Sequence, residues 1–492
     1  MVTISSEILR RTKILVTLGP ASTGQSTIES LIKTGVDGFR FNFSHGTIED
    51  FRPVLRTVRD VSSELDRHIA CMADLQGPKI RVGKLEEEPL TLSENSRVIL
   101  HSGEQDFFDP PEDLPELPIT HRNLVDDFTV GTKVHVNEGR ITLRITEKRE
   151  QCLIATVLEA GRVWNDKGVN VPDAEFDVPA MTPKDKEDLN AIVTEDFDMV
   201  ALSFVRQASD LQEARAKLEE ADPPIDLLAK IESKKALSNL DEIIDSVEGI
   251  IVARGDLGVE IGPERVPYHQ KRMIEKANRK GRIVITATQM LESMISNPVP
   301  TRAEVSDVAN AVLDVSDGVM LSGETAVGDH PVKVTDYMND IVRATEDDFR
   351  EKLASLSPDL DELDTKVGAT MSNAAAQVAN DVDASAIVAP TSTGFTVRMV
   401  SKTYPVCPII ALSFRATTRQ KVSMYRNVKP YKLEKISSTE KLIEESIRIV
   451  DELELAQPGD NIVLLAGLPI DRGGITNLLH VIEIPESDQG SK

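Results

Sequence analysis

The chain has 492 residues, which is too long for one ordinary hydrophobic core and indicates two to four domains. Its 81 acidic and 56 basic residues give a net charge of −25, which disfavours nucleic acid as a partner because phosphate backbones need a basic surface. No apolar run reaches the ~20 residues of a membrane span and no signal-peptide core follows the N-terminus, so we expect a cytoplasmic protein with no membrane partner.

Eight short β-branched runs recur along the first two thirds of the chain, most of them followed by an amphipathic helical pattern. The runs lie at 14–18, 38–43, 69–74, 199–204, 227–231, 250–253, 283–287 and 319–321. Helix starts are predicted from capping residues, namely Ser26 with Glu29, Thr301 with Glu304, and Thr182 before Pro183. Eight such units predict an α/β fold built on a (β/α)8 TIM barrel.

The repeat is interrupted once, after the third run. Residues 78–165 alternate apolar and polar positions over short stretches, which is typical of antiparallel strands. We interpret them as a small β-barrel lid domain inserted into a loop on the face where TIM barrels carry active sites. The catalytic barrel would then comprise residues 1–77 and 166–345.

A second α/β region follows a charged stretch at about 345–365. Its apolar runs lie at 386–389, 409–412, 462–466 and 481–484 and alternate with helical patterns. This pattern predicts an open, mainly parallel sheet. Residues 346–492 would form this C-terminal regulatory domain.

Polar side chains follow six of the predicted barrel strands, where they would converge on one face. Buried charges are costly unless they are paired or bind a ligand, so such a cluster indicates a site. Glu232 and Asp256 offer carboxylate oxygens to Mg²⁺, and Arg40, Arg81 and Lys230 suit a phosphoryl group in transfer. Phosphate-binding and dinucleotide-binding glycine motifs are absent. These residues predict a Mg²⁺-dependent barrel enzyme acting on a small, phosphorylated anion.

Eight segments resemble hallmarks of the pyruvate kinase family. They are TKI at 12–14 with GPAS at 19–22, FRFNFSHG at 39–46, KGVNVP at 167–172, KDKEDL at 184–189, VARGDLG at 252–258, ATQMLESM at 287–294, PTRAEVSDVANAVLD at 300–314 and VMLSGETAVG at 319–328. The resemblance implies a homotetramer that transfers the phosphoryl group of phosphoenolpyruvate to ADP, with Mg²⁺ or alternatively Mn²⁺ as the metal.

The resemblance also implies a role for each matching residue. Lys230 would stabilise the transition state and Arg40 would bind the phosphoryl group. The other roles are Mg²⁺ ligands for Glu232 and Asp256, substrate carboxylate binding for Gly255, Asp256 and Thr288, nucleotide binding for Asn42, His45, Arg81 and Lys184, and proton delivery to the enolate for Thr288, Ser322 and Glu324.

One departure from the family concerns the monovalent cation. Members that require K⁺ usually have Glu at the position of Lys79, and the cation would lie near Asn42, Ser44, Asp74 and the carbonyl of Leu75. Lys79 brings a fixed ammonium to this region, so we predict that K⁺ is not required. The alternative is that Lys79 points to solvent from the hinge of the lid.

A polar segment in the C-terminal region is a candidate effector site. Thr391, Ser392, Thr393 and Thr396 follow a predicted strand and open a helix, where N–H groups and hydroxyls can bind a phosphorylated effector. Arg472 would form a second wall of this effector site. An ordinary helix cap is the alternative.

Two other functions stay open from the sequence. A Mg²⁺-dependent aldolase or lyase that stabilises an enolate would use Lys230 and the two carboxylates, but it leaves the lid unexplained. A catalytically silent regulatory paralogue would be expected to lack Lys230, Glu232, Asp256 or Thr288, and all four are present.

Overall fold

The computed structural model describes residues 10–103, 108–172, 178–349, 366–434, 438–468 and 476–486. The barrel begins with β1 (Lys13–Thr17), α1 (Gln25–Thr34), β2 (Gly38–Asn42), α2 (Ile48–Glu64) and β3 (Ala70–Asp74). These strands are buried along almost their whole length, as parallel strands covered on both faces are. The helix start predicted at Ser26 is wrong, because α1 begins at Gln25 with Gly24 as its N-cap.

A β-rich insertion follows β3. Its elements are β4 (Leu90–Leu92), β5 (Arg97–Ser102), β6 (Glu116–Ile119), α3 (Leu124–Asp127), β7 (Lys133–Val136), β8 (Ile141–Lys148), β9 (Cys152–Glu159), β10 (Gly161–Val163) and β11 (Val169–Asn170). Six strands form one sheet in the order β11-β7-β8-β9-β5-β6, and β4 pairs with β10. Arg81 bridges to Gly168 beside β11 and Val82 bridges to Ile119 of β6, so this short segment closes the sheet around its own apolar core.

The remaining barrel elements follow the insertion. They are α4 (Pro183–Ile192), β12 (Met199–Leu202), α5 (Gln212–Leu218), β13 (Asp226–Ile231), α6 (Lys234–Ser238), α7 (Leu240–Asp245), β14 (Gly249–Ala253), α8 (Arg254–Ile261), α9 (Val266–Arg279), β15 (Ile283–Ala287), α10 (Arg302–Leu313), β16 (Gly318–Leu321), α11 (Gly323–Ala326) and α12 (Pro331–Asp348). Thr182 and Thr301 cap α4 and α10, as predicted. The parallel strands close in the order β1-β16-β15-β14-β13-β12-β3-β2, which confirms the TIM barrel.

A five-stranded sheet forms the C-terminal region. Its elements are α13 (Lys366–Asp381), β17 (Ala386–Pro390), α14 (Phe395–Ser401), β18 (Ile409–Ser413), α15 (Ala416–Val422), β19 (Val428–Lys432), α16 (Thr439–Glu452), β20 (Asn461–Ala466) and β21 (Leu478–Glu483). The strand order is β19-β18-β17-β20-β21, and only β21 is antiparallel to its neighbour. The predicted open, mainly parallel sheet is confirmed.

The C-terminal region packs against the end of the barrel where the strands begin. Lys402 pairs with Asp317 just before β16, and Nζ of Lys421 lies 2.9 Å from Oδ1 of Asp226, the first residue of β13. The insertion leaves the barrel after β3, at the opposite end where the strands finish, and its Lys79 contacts Asp256 there. Within the described ranges, no helix combines the length and apolar character needed to cross a bilayer.

Candidate active site

Lys230, near the end of β13, lies between two carboxylates. Its Nζ is 3.0 Å from Oε1 of Glu232 and 3.5 Å from Oδ1 of Asp74, and it donates a hydrogen bond to Oγ of Ser203 at 2.8 Å. Burial alone would lower the pKa of Lys230, but Asp74 and Glu232 outweigh it and hold the pKa above its ordinary value. Lys230 is therefore a permanent cation at neutral pH.

Asp74, at the end of β3, orients a second cation. Nε of Arg40 donates to Oδ2 of Asp74 at 2.6 Å, and Nη1 donates to Oγ1 of Thr17 at 3.0 Å. Burial would raise the pKa of Asp74, but Lys230 and Arg40 outweigh it and lower the pKa. One buried carboxylate thus fixes two of the three cations that the sequence assigned to the phosphoryl group.

Glu232 and Asp256 face each other across the ends of β13 and β14. Burial raises the pKa of Glu232, and repulsion from Asp256 adds to this effect. Oε2 of Glu232 accepts the backbone N–H of Phe204 at 2.7 Å. Oδ1 of Asp256 lies 2.7 Å from Nζ of Lys79, which holds the pKa of Asp256 below its ordinary value despite burial.

This pair of carboxylates fits a divalent cation. Two carboxylates that repel each other in a largely buried site gain from a positive charge between them, and Mg²⁺ commonly binds through one or two carboxylates. In the described part of the chain no third His, Cys, Asp or Glu joins them in a metal-binding group. A Mg²⁺ ion held by Glu232 and Asp256 would take its other ligands from water and substrate.

Thr288 occupies a strained turn that follows β15. Its φ is +66°, and that of Gln289 is +54°, a left-handed conformation that β-branched residues rarely adopt. Oγ1 of Thr288 accepts the N–H of Gly255 at 2.8 Å and donates to the carbonyl of Ala287 at 2.6 Å. The turn therefore places the Thr288 hydroxyl directly beside the Gly255-Asp256 backbone.

Arg254, the first residue of α8, holds this turn from behind. Its guanidinium donates to the carbonyl of Thr288 at 2.7 Å and to that of Ala287 at 3.2 Å. Nη1 lies 2.6 Å from Oδ2 of Asp307 on α10. Strained conformations persist where the surrounding structure determines them, and Arg254 supplies that support here.

Glu324 connects the segments that follow β15 and β16 through hydrogen bonds. Its carboxylate accepts the backbone N–H of Ser322 at 2.7 Å and that of Leu291 at 3.1 Å. The side chain is buried, so it fixes the loop that carries Thr288 relative to Ser322.

The four residues predicted to bind a nucleotide flank the other side of the cluster. Nζ of Lys184 donates to the carbonyls of Phe43 and Gly46, at 2.8 and 3.1 Å, and Oδ1 of Asn42 accepts the Ser44 N–H at 3.2 Å. Burial lowers the pKa of His45, and the charges of Arg81 and Arg40 lower it further. His45 is therefore neutral at pH 7 and lies near both arginines.

Lys79 does not extend into solvent. About a fifth of its side chain is exposed. Its ammonium contacts the carboxylate of Asp256 and lies 5.5 Å from the ring centre of Phe204. Of the groups predicted to surround a monovalent cation, the Leu75 carbonyl accepts a hydrogen bond from Ser203 Oγ at 2.7 Å.

The candidate effector segment forms a tight turn before α14. Oγ1 of Thr391 accepts the Gly394 N–H at 2.8 Å, the Ser392 carbonyl accepts the Thr418 hydroxyl at 2.8 Å, and Thr396 contacts Thr476 through their hydroxyls at 2.8 Å. Arg472 lies outside the described residues.

Sequence reasoning missed three residues of the cluster. Ser203 bonds Lys230, Arg254 supports the Thr288 turn, and the side-chain amide of Asn170 donates a hydrogen bond to Asp256. Ser203 directly follows β12, so its signal in the sequence is a polar residue at the end of a barrel strand.

Comparisons with known proteins identify the family of the chain. The chain matches the family model for the pyruvate kinase barrel domain over residues 9–335 and the model for the pyruvate kinase alpha/beta domain over residues 369–482. A pyruvate kinase of Agrobacterium vitis is 40% identical over 481 residues, covering 97% of this chain and 98% of the relative. One of Geobacillus stearothermophilus is 38% identical over 475 residues, covering 96% of this chain and 80% of the relative.

A solved structure gives the same result. The crystal structure of a pyruvate kinase from Cryptosporidium parvum superposes with a TM-score of 0.89 at 31% identity, and the match covers 98% of each chain. The chain therefore belongs to the pyruvate kinase family, and it is a phosphotransferase of glycolysis.

Proposed function

We propose that this pyruvate kinase transfers the phosphoryl group of phosphoenolpyruvate to ADP with a divalent cation and without K⁺. The observation that carries the proposal is the placement of Lys230 and Arg40 on the two oxygens of one buried carboxylate, Asp74. Phosphoryl transfer is catalysed mainly by positioning and by stabilising charge, and two pre-oriented cations provide both.

In the proposed reaction the bond between phosphorus and the C2 oxygen of phosphoenolpyruvate breaks, and a bond forms between phosphorus and a β-phosphate oxygen of ADP. Arg40 would bind the phosphoryl oxygens. Lys230 would stabilise charge on the phosphoryl group and on the enolate oxygen that is left behind. A Mg²⁺ or Mn²⁺ ion on Glu232 and Asp256 would supply further charge stabilisation for the same oxygens.

The enolate then takes a proton at C3 to give pyruvate. Thr288, Ser322 and Glu324 are proposed to lie on the route of this proton. The strained turn supports the assignment, because it directs the Thr288 hydroxyl toward the Gly255-Asp256 backbone, where the substrate carboxylate is proposed to bind. A hydroxyl at that position can both orient the carboxylate and pass a proton.

The nucleotide is proposed to bind along Asn42, His45, Arg81 and Lys184. The neutral state of His45 at pH 7 suits stacking or hydrogen bonding, while Arg81 and Lys184 suit phosphate oxygens. Lys79 would supply the charge that K⁺ supplies in other members, near Asn42, Ser44, Asp74 and the Leu75 carbonyl.

Several further expectations stay predictions from family resemblance. They are the homotetramer, the cytoplasmic location, a phosphorylated effector at Thr391, Ser392, Thr393 and Thr396, and the residue limits 1–77 with 166–345, 78–165 and 346–492 for the three domains. The strand β11 pairs within the insertion although it follows residue 165.

The proposal is tested by pyruvate release from phosphoenolpyruvate, ADP and Mg²⁺, with K⁺ or with tetramethylammonium at matched ionic strength. We expect equal rates in both salts and no pyruvate without ADP. Activity only with K⁺ would contradict the role of Lys79 but keep the reaction. Turnover without ADP would favour the lyase alternative, and no turnover by the folded protein would favour a silent paralogue.

A further inference from the structure

The ammonium of Lys79 contacts the carboxylate of Asp256, which the proposed function assigns to the metal ion as a ligand. Nζ of Lys79 lies 2.7 Å from Oδ1 of Asp256, although 177 residues separate them in sequence. An oxygen that accepts a charge-assisted hydrogen bond from an ammonium cannot direct the same lone pair at a metal ion. A divalent cation at this oxygen would also lie close to the ammonium, and the repulsion between the two positive charges opposes binding of both at one time.

Gly168 shapes the space in which Lys79 lies. A Cβ added to Gly168 would lie 2.6 Å from Cε of Lys79 and 3.4 Å from its Nζ. The backbone at residue 168 is not left-handed, so its conformation does not require glycine. The missing side chain instead makes room for the lysine stem, which packs beside β11 and across the ring of Phe204.

Charges in the cluster balance without a metal. The carboxylates Asp74, Glu232 and Asp256 contact the cations Arg40, Lys230 and Lys79. A divalent cation added to a balanced, largely buried cluster is opposed by the cations already there. Lys79 is the cation that can leave, because its flexible chain borders a cavity of about 560 Å³ that Asn170, Phe204 and Glu232 also line.

We propose that Lys79 competes with the divalent cation for Asp256. Metal entry displaces the ammonium from Asp256, and the freed charge becomes available to an anionic substrate. The site therefore binds metal weakly by itself and more tightly once a substrate anion attracts the displaced ammonium. This inference rests on the proposed function in one respect, the assignment of Asp256 as a metal ligand.

The test is Mn²⁺ binding to the full chain without substrates, measured as the free Mn²⁺ signal in electron paramagnetic resonance. We expect Lys79→Met to bind Mn²⁺ at least tenfold more tightly than the wild type. Lys84→Met removes the same charge from an exposed position of the insertion and should stay within twofold. Circular dichroism would verify that the variants are folded.

Gly168→Ala gives a second, independent perturbation. The added Cβ meets the flexible end of a side chain, so the backbone can stay in place while Lys79 moves away. We expect Gly168→Ala to tighten Mn²⁺ binding as well, and to add nothing in the Lys79→Met background. Unchanged affinity in both single variants would overturn the competition.

A wrong assignment of Asp256 as a metal ligand would give a different experimental result. If Asp256→Asn binds Mn²⁺ as the wild type does, Asp256 is not a ligand, and both the assignment and the competition are overturned. If Asp256→Asn loses Mn²⁺ while Lys79→Met keeps the wild-type affinity, the metal site stands and only the competition is overturned.

Discussion

Replacing Arg254 by lysine tests how the strained turn at Thr288 serves the reaction. The guanidinium donates to the carbonyls of Thr288 and Ala287 and pairs with Asp307, all from one planar group. A lysine ammonium is a single point charge and cannot hold these partners in the same geometry. We therefore expect Arg254→Lys to keep the charge but release the turn.

The magnitude follows from the bonds that are lost. A hydrogen bond to a charged group contributes about 1.5–3 kcal/mol, and a left-handed non-glycine residue costs about 1–3 kcal/mol to maintain. Loss of about 2 kcal/mol at the turn corresponds to roughly a thirtyfold lower kcat/KM for phosphoenolpyruvate. Both kcat and KM should change, because Thr288 is proposed to bind the substrate carboxylate and to lie on the proton route.

The assay is a phosphoenolpyruvate titration at saturating ADP and Mg²⁺, together with deuterium exchange from solvent into the methyl group of pyruvate. Asp241→Asn is a suitable control, since it removes an exposed ion pair to Lys276 on the outer helices. Arg254→Lys with kcat/KM and exchange within twofold of the wild type would refute this account of the turn.

Three further predictions concern other parts of the molecule. Ser203→Ala should lower kcat about tenfold with little change in KM, because Lys230 loses a positioning hydrogen bond; an unchanged kcat in steady-state assays would contradict this. Glu232→Gln should weaken Mn²⁺ binding at least tenfold, and an unchanged metal titration would remove it from the ligand set. Burial and the charges of Lys13 and Arg67 lower the pKa of Lys429 to about 7, so the unfolded chain binds more protons and stability falls as pH drops from about 10 to 7. Lys429→Met should therefore stabilise the fold at pH 7 by about 2 kcal/mol and flatten this pH dependence in thermal melts; a melting temperature equal to that of the wild type at pH 7 would contradict it.

The barrel and most of its site follow from local patterns in the sequence. β-branched runs of three to six residues with polar ends predict the strands, and parallel closure then brings Arg40, Lys230 and Glu232 together without further information. The cap at Thr301 follows from its side chain and from Glu304 three positions later, and the cap at Thr182 follows from its place before Pro183. The start of α1 did not follow, because Gly24 and Ser26 are both acceptable N-caps.

Lys79 illustrates what local patterns leave out. Its resemblance to family members that have Glu at this position suggested a place near Asn42, Ser44, Asp74 and the Leu75 carbonyl. The resemblance did not predict the contact of its ammonium with Asp256, which the left-handed turn at Gly77 and the missing side chain at Gly168 permit. The contact depends on two elements far apart in sequence, which no spacing rule describes.

Phosphoryl transfer by Lys230→Met tests the central claim most directly, because Lys230 is the cation that contacts both Asp74 and Glu232. The measurement is ³¹P NMR of phosphoenolpyruvate and ADP with Mg²⁺ and the folded variant, with Lys84→Met as the control. The account predicts that the control forms ATP at the wild-type rate and that Lys230→Met forms at least a thousandfold less. ATP formation by Lys230→Met at a rate near that of the control would contradict it.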